Sequence, residues 1–272
     1  MFLEERQDAI VELLKNDGKV TVHDLSARFS VTEDCIRKDL GTLEKKGLLK
    51  RTYGGAVPIR LELETREIIK RRGENLTAKR QMAKVAQEML LDSDLIFLGI
   101  SSTSVALAEL LVQTESRLCV VTDMLDVMTV LARNPRIRLI GLGGELNASR
   151  DGFVSAQTAK LIRELRPSIA FLGATGVDVE GNNFYVDDAE DKVQKQVIME
   201  SAERVYIMAD ESKFLREGKH KFAELQEING IITDVKPSEN ICNILEDAHV
   251  ELLLPRVEPE PAKRQRQGRR RK

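Results

Sequence analysis

The sequence predicts an α/β protein in two parts, an N-terminal winged helix-turn-helix followed by a mostly parallel α/β domain. Three observations predict it. Between Val20 and Pro58, two short amphipathic stretches flank a turn and lead into a basic, glycine-bearing ribbon. Beyond Glu74, short apolar runs alternate with helically spaced segments, the pattern of a parallel sheet covered on both faces. Positive charge gathers between Arg37 and Arg60. Seven basic residues there (Arg37, Lys38, Lys45, Lys46, Lys50, Arg51, Arg60) face two acidic ones, Asp39 and Glu44, although the 272-residue chain carries a net charge of −2. Gathered in one segment, that charge can meet nucleic-acid phosphate whatever the overall balance.

Residues 1–57 are expected to form the small helical unit. Phe2, Leu3, Ile10, Leu13 and Leu14 make the buried stripe of a first helix, whose other face carries Glu4, Glu5, Asp8 and Glu12. Asp17-Gly18 ends that helix. Leu25 and Phe29 lie one turn apart in the next. Thr32 is placed to cap the third helix, because its hydroxyl can accept a first-turn N–H. A rotation of about 100° per residue turns Ile36, Leu40 and Leu43 inward and leaves Asp34, Arg37, Lys38, Gly41 and Lys45 outward. An apolar back with a cationic front suits a helix lying in the DNA major groove. Leu48 to Pro58 reads as the wing. The candidate DNA contacts are Thr32, Arg37, Lys38, Lys45, Lys50, Arg51 and Tyr53.

Residues 58–73 are charged and amphipathic, a helical linker, and residues 74–255 form the α/β domain. Its candidate strands are 95–100, 118–122, 137–141, 169–173, 205–209, 230–233 and 250–254, with helices such as 105–112 and 187–202 between them. Residues 256–272 end in a basic low-complexity run, Lys263 to Lys272, expected to be a disordered tail that is either a phosphate-attracting arm or simply solvated.

Composition narrows the class. An apolar share of 42% allows a real core. No apolar run approaches the ~20 residues that cross a bilayer, so no membrane partner is expected. The acidic, helical N-terminus is unlike a secretory signal. Cys35, Cys119 and Cys242 are scattered and without metal-ligand spacing. They point to a reducing cytoplasm, with no metal site and no cofactor expected. His23, His220 and His249 read as surface residues.

Ligands of a parallel sheet bind outside the carboxyl ends of its strands. The first strand ends in Ser101, Ser102, Thr103 and Ser104 and opens a helix, an anion cradle of hydroxyls and free backbone N–H groups. The second ends in Thr122-Asp123, the third in Gly143-Gly144, and the fifth in Asp210-Glu211-Ser212-Lys213. With Lys195, these ends suit a small, hydroxyl-rich, phosphorylated ligand. The candidate effector contacts are Ser101, Ser102, Thr103, Thr122, Asp123, Gly143, Gly144, Lys195, Asp210 and Lys213.

The segment Val31-Thr32-Glu33-Asp34-Cys35-Ile36-Arg37-Lys38-Asp39-Leu40, with Leu43-Glu44 and Arg51-Thr52-Tyr53-Gly54-Gly55-Ala56, resembles the signature of DeoR-type (deoxyribose-repressor) transcription regulators. Lys79-Arg80, Gly143-Gly144, Phe171 to Ala174, Gly176 to Asp178, Asp210 to Lys213 and Ile232 to Asp234 extend the resemblance over roughly residues 1–254. It implies a winged helix-turn-helix joined to an effector domain similar to ribose-5-phosphate isomerase. It also implies a homo-oligomer, dimer or tetramer, that represses a carbohydrate operon and is loosened from double-stranded operator DNA by a sugar phosphate. The chain departs from the family pattern where Gly99 and Ser101 replace the usual Asp and Gly, Asp123 the usual Asn, Ser155 a Gly, and Cys35 a Thr. A carboxylate at Asp123 would repel a phosphate unless protonated or paired, with Lys195 and Lys213 as candidate counter-charges.

Two other readings compete. A sugar-phosphate isomerase or deaminase with a DNA-binding appendage needs a proton-transferring base, for which Asp123, Asp178 or Asp210 would serve. Yet no carboxylate-histidine constellation stands out, and catalysis has no use for the basic unit. An architectural DNA-binding protein would not require seven strands ending in polar loops.

Overall fold

The computed structural model describes residues 6–7, 9–11, 13–14, 20–45, 48–52, 54–58, 71–214 and 216–256. The chain divides into two compact units, Met1–Glu67 and Ile68–Lys272. The expected helix residues Phe2 and Leu3, the break at Asp17-Gly18, Lys46, Tyr53, linker positions 59–70 and the tail from residue 257 lie outside the described residues.

In the first unit, helical backbone at residues 6–7, 9–11 and 13–14 precedes β1 (Val20–Thr21), α1 (Val22–Phe29), α2 (Glu33–Lys45), β2 (Leu49–Thr52) and β3 (Gly55–Pro58). Strand β3 lies between β1 and β2 and is antiparallel to both. Gly55 permits this: a Cβ there would sit 2.1 Å from the Val20 carbonyl oxygen. Ile10, Leu14, Leu25, Ile36, Leu40, Leu43 and Leu49 close the core, so the helical rotation read from the sequence is the one that packs.

The second unit begins with α3 (Leu76–Glu88), β4 (Leu95–Leu98), α4 (Ser102–Leu111), β5 (Cys119–Thr122), α5 (Leu125–Leu131) and β6 (Arg138–Gly141). Next come β7 (Leu146–Asn147), β8 (Gly152–Phe153), α6 (Ala156–Arg163), β9 (Ile169–Gly173), β10 (Gly176–Asp178), β11 (Asn183–Val186) and α7 (Ala189–Ser201). It closes with β12 (Val205–Met208), β13 (His220–Ala223), β14 (Gly230–Ile232), α8 (Glu239–Asp247) and β15 (Glu251–Leu253). The seven strands expected from apolar runs pair in parallel as one sheet, ordered β15-β14-β12-β9-β4-β5-β6. Side chains alternate across it as the strand pleat requires. Ile96 and Leu98 join Met82, Leu107 and Leu131 on one face, while Phe97 joins Ile162, Val197 and Phe222 on the other.

Three features escape the strand-helix alternation: helix α3, the hairpin β7–β8, and the antiparallel sheet β10-β11-β13. The strands among them are two to four residues long and lie outside the apolar runs that mark the large sheet. Among the described residues no helix is long and apolar enough to cross a membrane.

The order of the large sheet matters for function. From β4 the chain proceeds through β5 to β6 on one side, and β9, β12, β14 and β15 occupy the other. The reversal falls between β4 and β9, which opens a crevice at their carboxyl ends.

Candidate functional site

In the first unit, α2 presents an exposed cationic face. The Thr32 hydroxyl accepts the Cys35 N–H at 3.3 Å and so caps the helix. Arg37, Lys38 and Lys45 are exposed, as is Arg51 on β2. Arg37 donates to Glu33 Oε2 at 2.6 Å and Asp34 Oδ1 at 2.9 Å. Such solvent-facing pairs are weak and salt-screened, and phosphate can replace them. Tyr53 and the Lys50 side chain lie outside the described residues.

Two supports of this face come from tertiary contacts. Asp39, buried in α2, accepts Arg6 Nε at 2.7 Å and Gln7 Nε2 at 3.4 Å, tying the helix to the first helical segment. Glu44 Oε1 accepts the Arg51 N–H at 2.8 Å, and Arg51 Nη1 lies 3.5 Å from where a Cβ on Gly41 would stand. The wing arginine is thus seated along α2. An acid inside a basic segment is the one sequence signal that could have flagged Asp39 and Glu44.

In the second unit, a cavity of about 200 Å³ lies at the carboxyl ends of β4, β9 and β12, which is the crevice where the strand order reverses. Ser101, Ser102 and Thr103 bring hydroxyls from the start of α4, Gly173 and Ala174 come from β9, and Asp210, Ser212, Lys213 and Arg216 follow β12. Arg71, Glu74, Asn75 and Lys79 complete the wall. Four cations (Arg71, Lys79, Lys213, Arg216) therefore face two carboxylates (Glu74, Asp210). Asp210 Oδ1 is already occupied, accepting from Asn75 Nδ2 at 3.1 Å and from the Ser212 N–H at 3.1 Å. Burial lowers the pKa of Lys79 and of Lys213; Asp210 opposes the shift in each, and neighbouring cations add to it. An anion brought among them would relieve that penalty. In the first turn of α4 the Ser104 N–H is taken by Ser101 Oγ at 2.9 Å, while helix geometry leaves the Ser102 and Thr103 N–H groups without intrahelical partners.

Five of the residues expected to contact an effector line this cavity: Ser101, Ser102, Thr103, Asp210 and Lys213. The other five do not. Strands β5 and β6 lie across β4 from β9 and β12, so their ends open elsewhere. The Thr122 hydroxyl donates to the Leu98 carbonyl at 2.7 Å. Gly143 O accepts the Thr158 hydroxyl at 3.0 Å. Gly144, at φ +150°, leaves no room for a side chain, since a Cβ would stand 2.3 Å from Thr158 Oγ1. Lys195 is buried against Asp191 at 2.6 Å, and Asp191 also accepts Arg150 at 2.9 Å.

Asp123 is 1% exposed. Its Oδ2 accepts Gln194 Nε2, and its Oδ1 has no hydrogen-bond partner among the described residues. Burial pushes its carboxyl up to about 7, against the pull of the Gln194 hydrogen bond and the Lys195 charge. Asp123 is absent from the cavity lining, so it raises no objection to an anion there. Ser212 lies in a polar strand end and Lys79 in a segment of the family resemblance. Arg71, Glu74, Asn75 and Arg216 have no local signal in the sequence, because their place in the wall depends on segments 135 residues apart meeting at Asn75 and Asp210.

Comparison with known proteins accords with both units. Residues 6–60 match the model of the DeoR-like helix-turn-helix domain, and residues 74–235 that of the DeoR C terminal sensor domain. The glycerol-3-phosphate regulon repressor of Escherichia coli strain K12 is 29% identical over 250 residues, covering 92% of this chain and 98% of that protein. The L-fucose operon activator of Haemophilus influenzae is 29% identical over 254 residues, covering 92% and 99%. The transcriptional repressor GlcR of Bacillus subtilis is 27% identical over 254 residues, covering 93% and 97%. Among solved structures, ribose 5-phosphate isomerase A from Methanocaldococcus jannaschii aligns over 52% of this chain and 55% of its own, at 19% identity and a TM-score of 0.39. A likeness at that score carries no functional weight.

Proposed function

Since this chain belongs to the DeoR family of transcription regulators, pairing a helix-turn-helix DNA-binding unit with a small-molecule sensor unit, we propose that it represses a carbohydrate operon and is released from its operator by a phosphorylated sugar. One observation carries the reading: the cavity at the β4/β9 crevice sets four cations against two carboxylates beside the start of α4. A dianionic phosphate answers that excess, and the hydroxyls of Ser102, Thr103 and Ser212 answer the hydroxyls of a sugar. Relatives named for glycerol-3-phosphate and fucose regulation support the carbohydrate assignment.

In this reading Arg37 and Lys38 make base or phosphate contacts from the major groove, and Lys45, Lys50, Arg51 and Tyr53 hold the DNA backbone. Thr32 fixes the start of the reading helix. The working form is a cytoplasmic homo-oligomer, whose two reading heads meet adjacent half-sites. The sensor is non-catalytic. The three carboxylates that an isomerase reading would use as a base are each held in a structural role. Asp178 Oδ1 accepts the Gly181 N–H at 2.8 Å, Asp210 closes the turn after β12, and Asp123 lies buried beneath Gln194.

The test is operator binding by the full chain, using DNA upstream of its own gene, titrated with triose, pentose and hexose phosphates and with the free sugars. Release by a sugar phosphate and not by its free sugar is the expected result; specific binding that no sugar phosphate disturbs overturns the effector assignment. Arg37→Ala is expected to weaken operator binding by about 1–3 kcal/mol with an unchanged melting temperature. Unaltered affinity would remove Arg37 from the interface. Lys213→Ala is expected to leave operator affinity intact and to raise the sugar phosphate concentration needed for release by about tenfold, the loss of one charge-assisted contact.

A further inference from the structure

The cavity wall includes the turn at which the linker enters the sensor unit. Residues 71–73 are helical, Asn75 takes a left-handed conformation at φ 50°, and α3 starts at Leu76. Three side chains hold this turn in place. Asn75 Nδ2 donates to Asp210 Oδ1 at 3.1 Å. Arg72 Nη1 pairs with Asp126 Oδ2 at 2.6 Å. Lys79, 5% exposed, donates to the backbone carbonyls of Arg71 and Glu74.

Lys79 differs from the other two because it is both a donor to the turn's backbone and part of the cavity lining. An ammonium carries three N–H donors and no acceptor. Two are engaged by the turn; the third has no hydrogen-bond partner among the described residues, and Lys79 lines the cavity together with Ser102 and Lys213. Neutral carbonyls offset a buried charge incompletely, whereas an anion at the third donor makes a charge-assisted bond. One side chain can therefore touch the effector and the root of the linker together.

We propose that Lys79 is a positioning residue that couples the cavity to the linker: an anionic effector takes its third N–H and thereby clamps the carbonyls of Arg71 and Glu74. This rests on the effector reading above and adds a route by which the sensor acts on the chain leading to the DNA-binding unit. Lys213 supplies charge to the same anion and feels Arg71 and Glu74 only through their charges, with no side-chain hydrogen bond to the turn among the described residues, so the two lysines separate affinity from coupling.

Hydrogen exchange on the full chain tests this, with millimolar inorganic phosphate and then with the sugar phosphate panel as probes. The expected result is added protection at the amides of residues 71–79 on binding, together with the start of α4. Lys79→Met and Lys213→Met should each weaken binding by about tenfold. At saturation Lys213→Met should still protect residues 71–75 and release operator, whereas Lys79→Met should bind without doing either. Lys79→Arg, which keeps charge and donors, should restore part of the response.

Binding that protects the start of α4 but leaves residues 71–75 of the wild-type chain unchanged overturns the coupling while the effector reading stands. This wild-type comparison decides the matter even if Lys79→Met fails to fold. Equal protection of the turn in a folded Lys79→Met chain overturns it as well. A chain whose exchange no phosphate alters, with binding also absent by calorimetry, overturns the effector reading and the coupling with it.

Discussion

Replacing Asp123 by asparagine is expected to stabilise the protein at pH 8 by about 1–3 kcal/mol and to change it little near pH 4. The carboxyl is buried, one of its oxygens has no hydrogen-bond partner among the described residues, and its pKa stands at about 7 against an ordinary 3.8. The group faces Gln194, Lys195 and Asp191. Between roughly pH 4 and pH 7 the folded chain thus holds a proton that the unfolded chain has released. Its stability contribution is full below the unfolded value and is lost as pH rises through the folded value. Every tenfold difference in proton affinity between the two states is worth about 1.4 kcal/mol, which would give roughly 4 kcal/mol in all. Asparagine forgoes part of this, because its amide N–H₂ then occupies the site of the unpartnered oxygen and is itself unsatisfied. Its carbonyl can still accept Gln194 Nε2. Melting curves of the two proteins from pH 4 to pH 8 provide the check. The curves should diverge as pH rises, and parallel curves would mean that Asp123 does not bind its proton more tightly in the folded chain.

Gly173→Ala is expected to cost about 1–3 kcal/mol and to impair the effector response together with stability. A Cβ at this position would stand 2.5 Å from Ser101 Cβ and 3.2 Å from Ser101 Oγ, so Ser101 must move. That side chain accepts the Ser104 N–H at 2.9 Å and caps α4. Losing a cap costs about 1 kcal/mol, and Ser102 and Thr103 would shift with it inside the cavity. Gly143→Ala is the matched control. Its φ is not positive, no atom lies within 4 Å of the added carbon, and it does not line the cavity. Denaturant melts and sugar phosphate titrations of both variants check the assignment. A Gly173→Ala chain as stable and as responsive as the Gly143→Ala chain would show that the close packing of β9 on Ser101 is not what shapes the cavity.

Much of this molecule is written locally. Ile36, Leu40 and Leu43 recur at helical spacing and are buried, and Thr32 caps the helix they define. The apolar runs at Leu95, Cys119, Arg138, Ile169, Val205, Gly230 and Glu251 are strands because runs of that length between helical segments have few other ways to bury both faces. The cationic face of α2 follows from the same rotation. Helix α3 and the short antiparallel strands escape that kind of reading, because they lie outside the apolar runs that mark the large sheet.

The candidate site was legible only in part. Ser101, Ser102, Thr103 and Lys213 follow strands β4 and β12, and each strand end could be recognised as polar. Whether those ends meet depends on strand order, which has no local signature. The order β12-β9-β4-β5 brings the ends of β4, β9 and β12 together and sends Thr122 and Asp123 to the other side. The same packing carries Asn75 to Asp210 across a separation of 135 residues and sets Arg71 and Lys79 in the same wall.

The sequence by itself determined most of the helices, the seven strands of the large sheet, its parallel character and the place where positive charge is spent, since these follow from backbone geometry and periodicity over a few residues. Only the tertiary structure decided which polar residues share a cavity, and that Asp123 is a buried acid outside it. Convergence and burial arise from how the strands are ordered and covered, and no residue carries that information in its own identity.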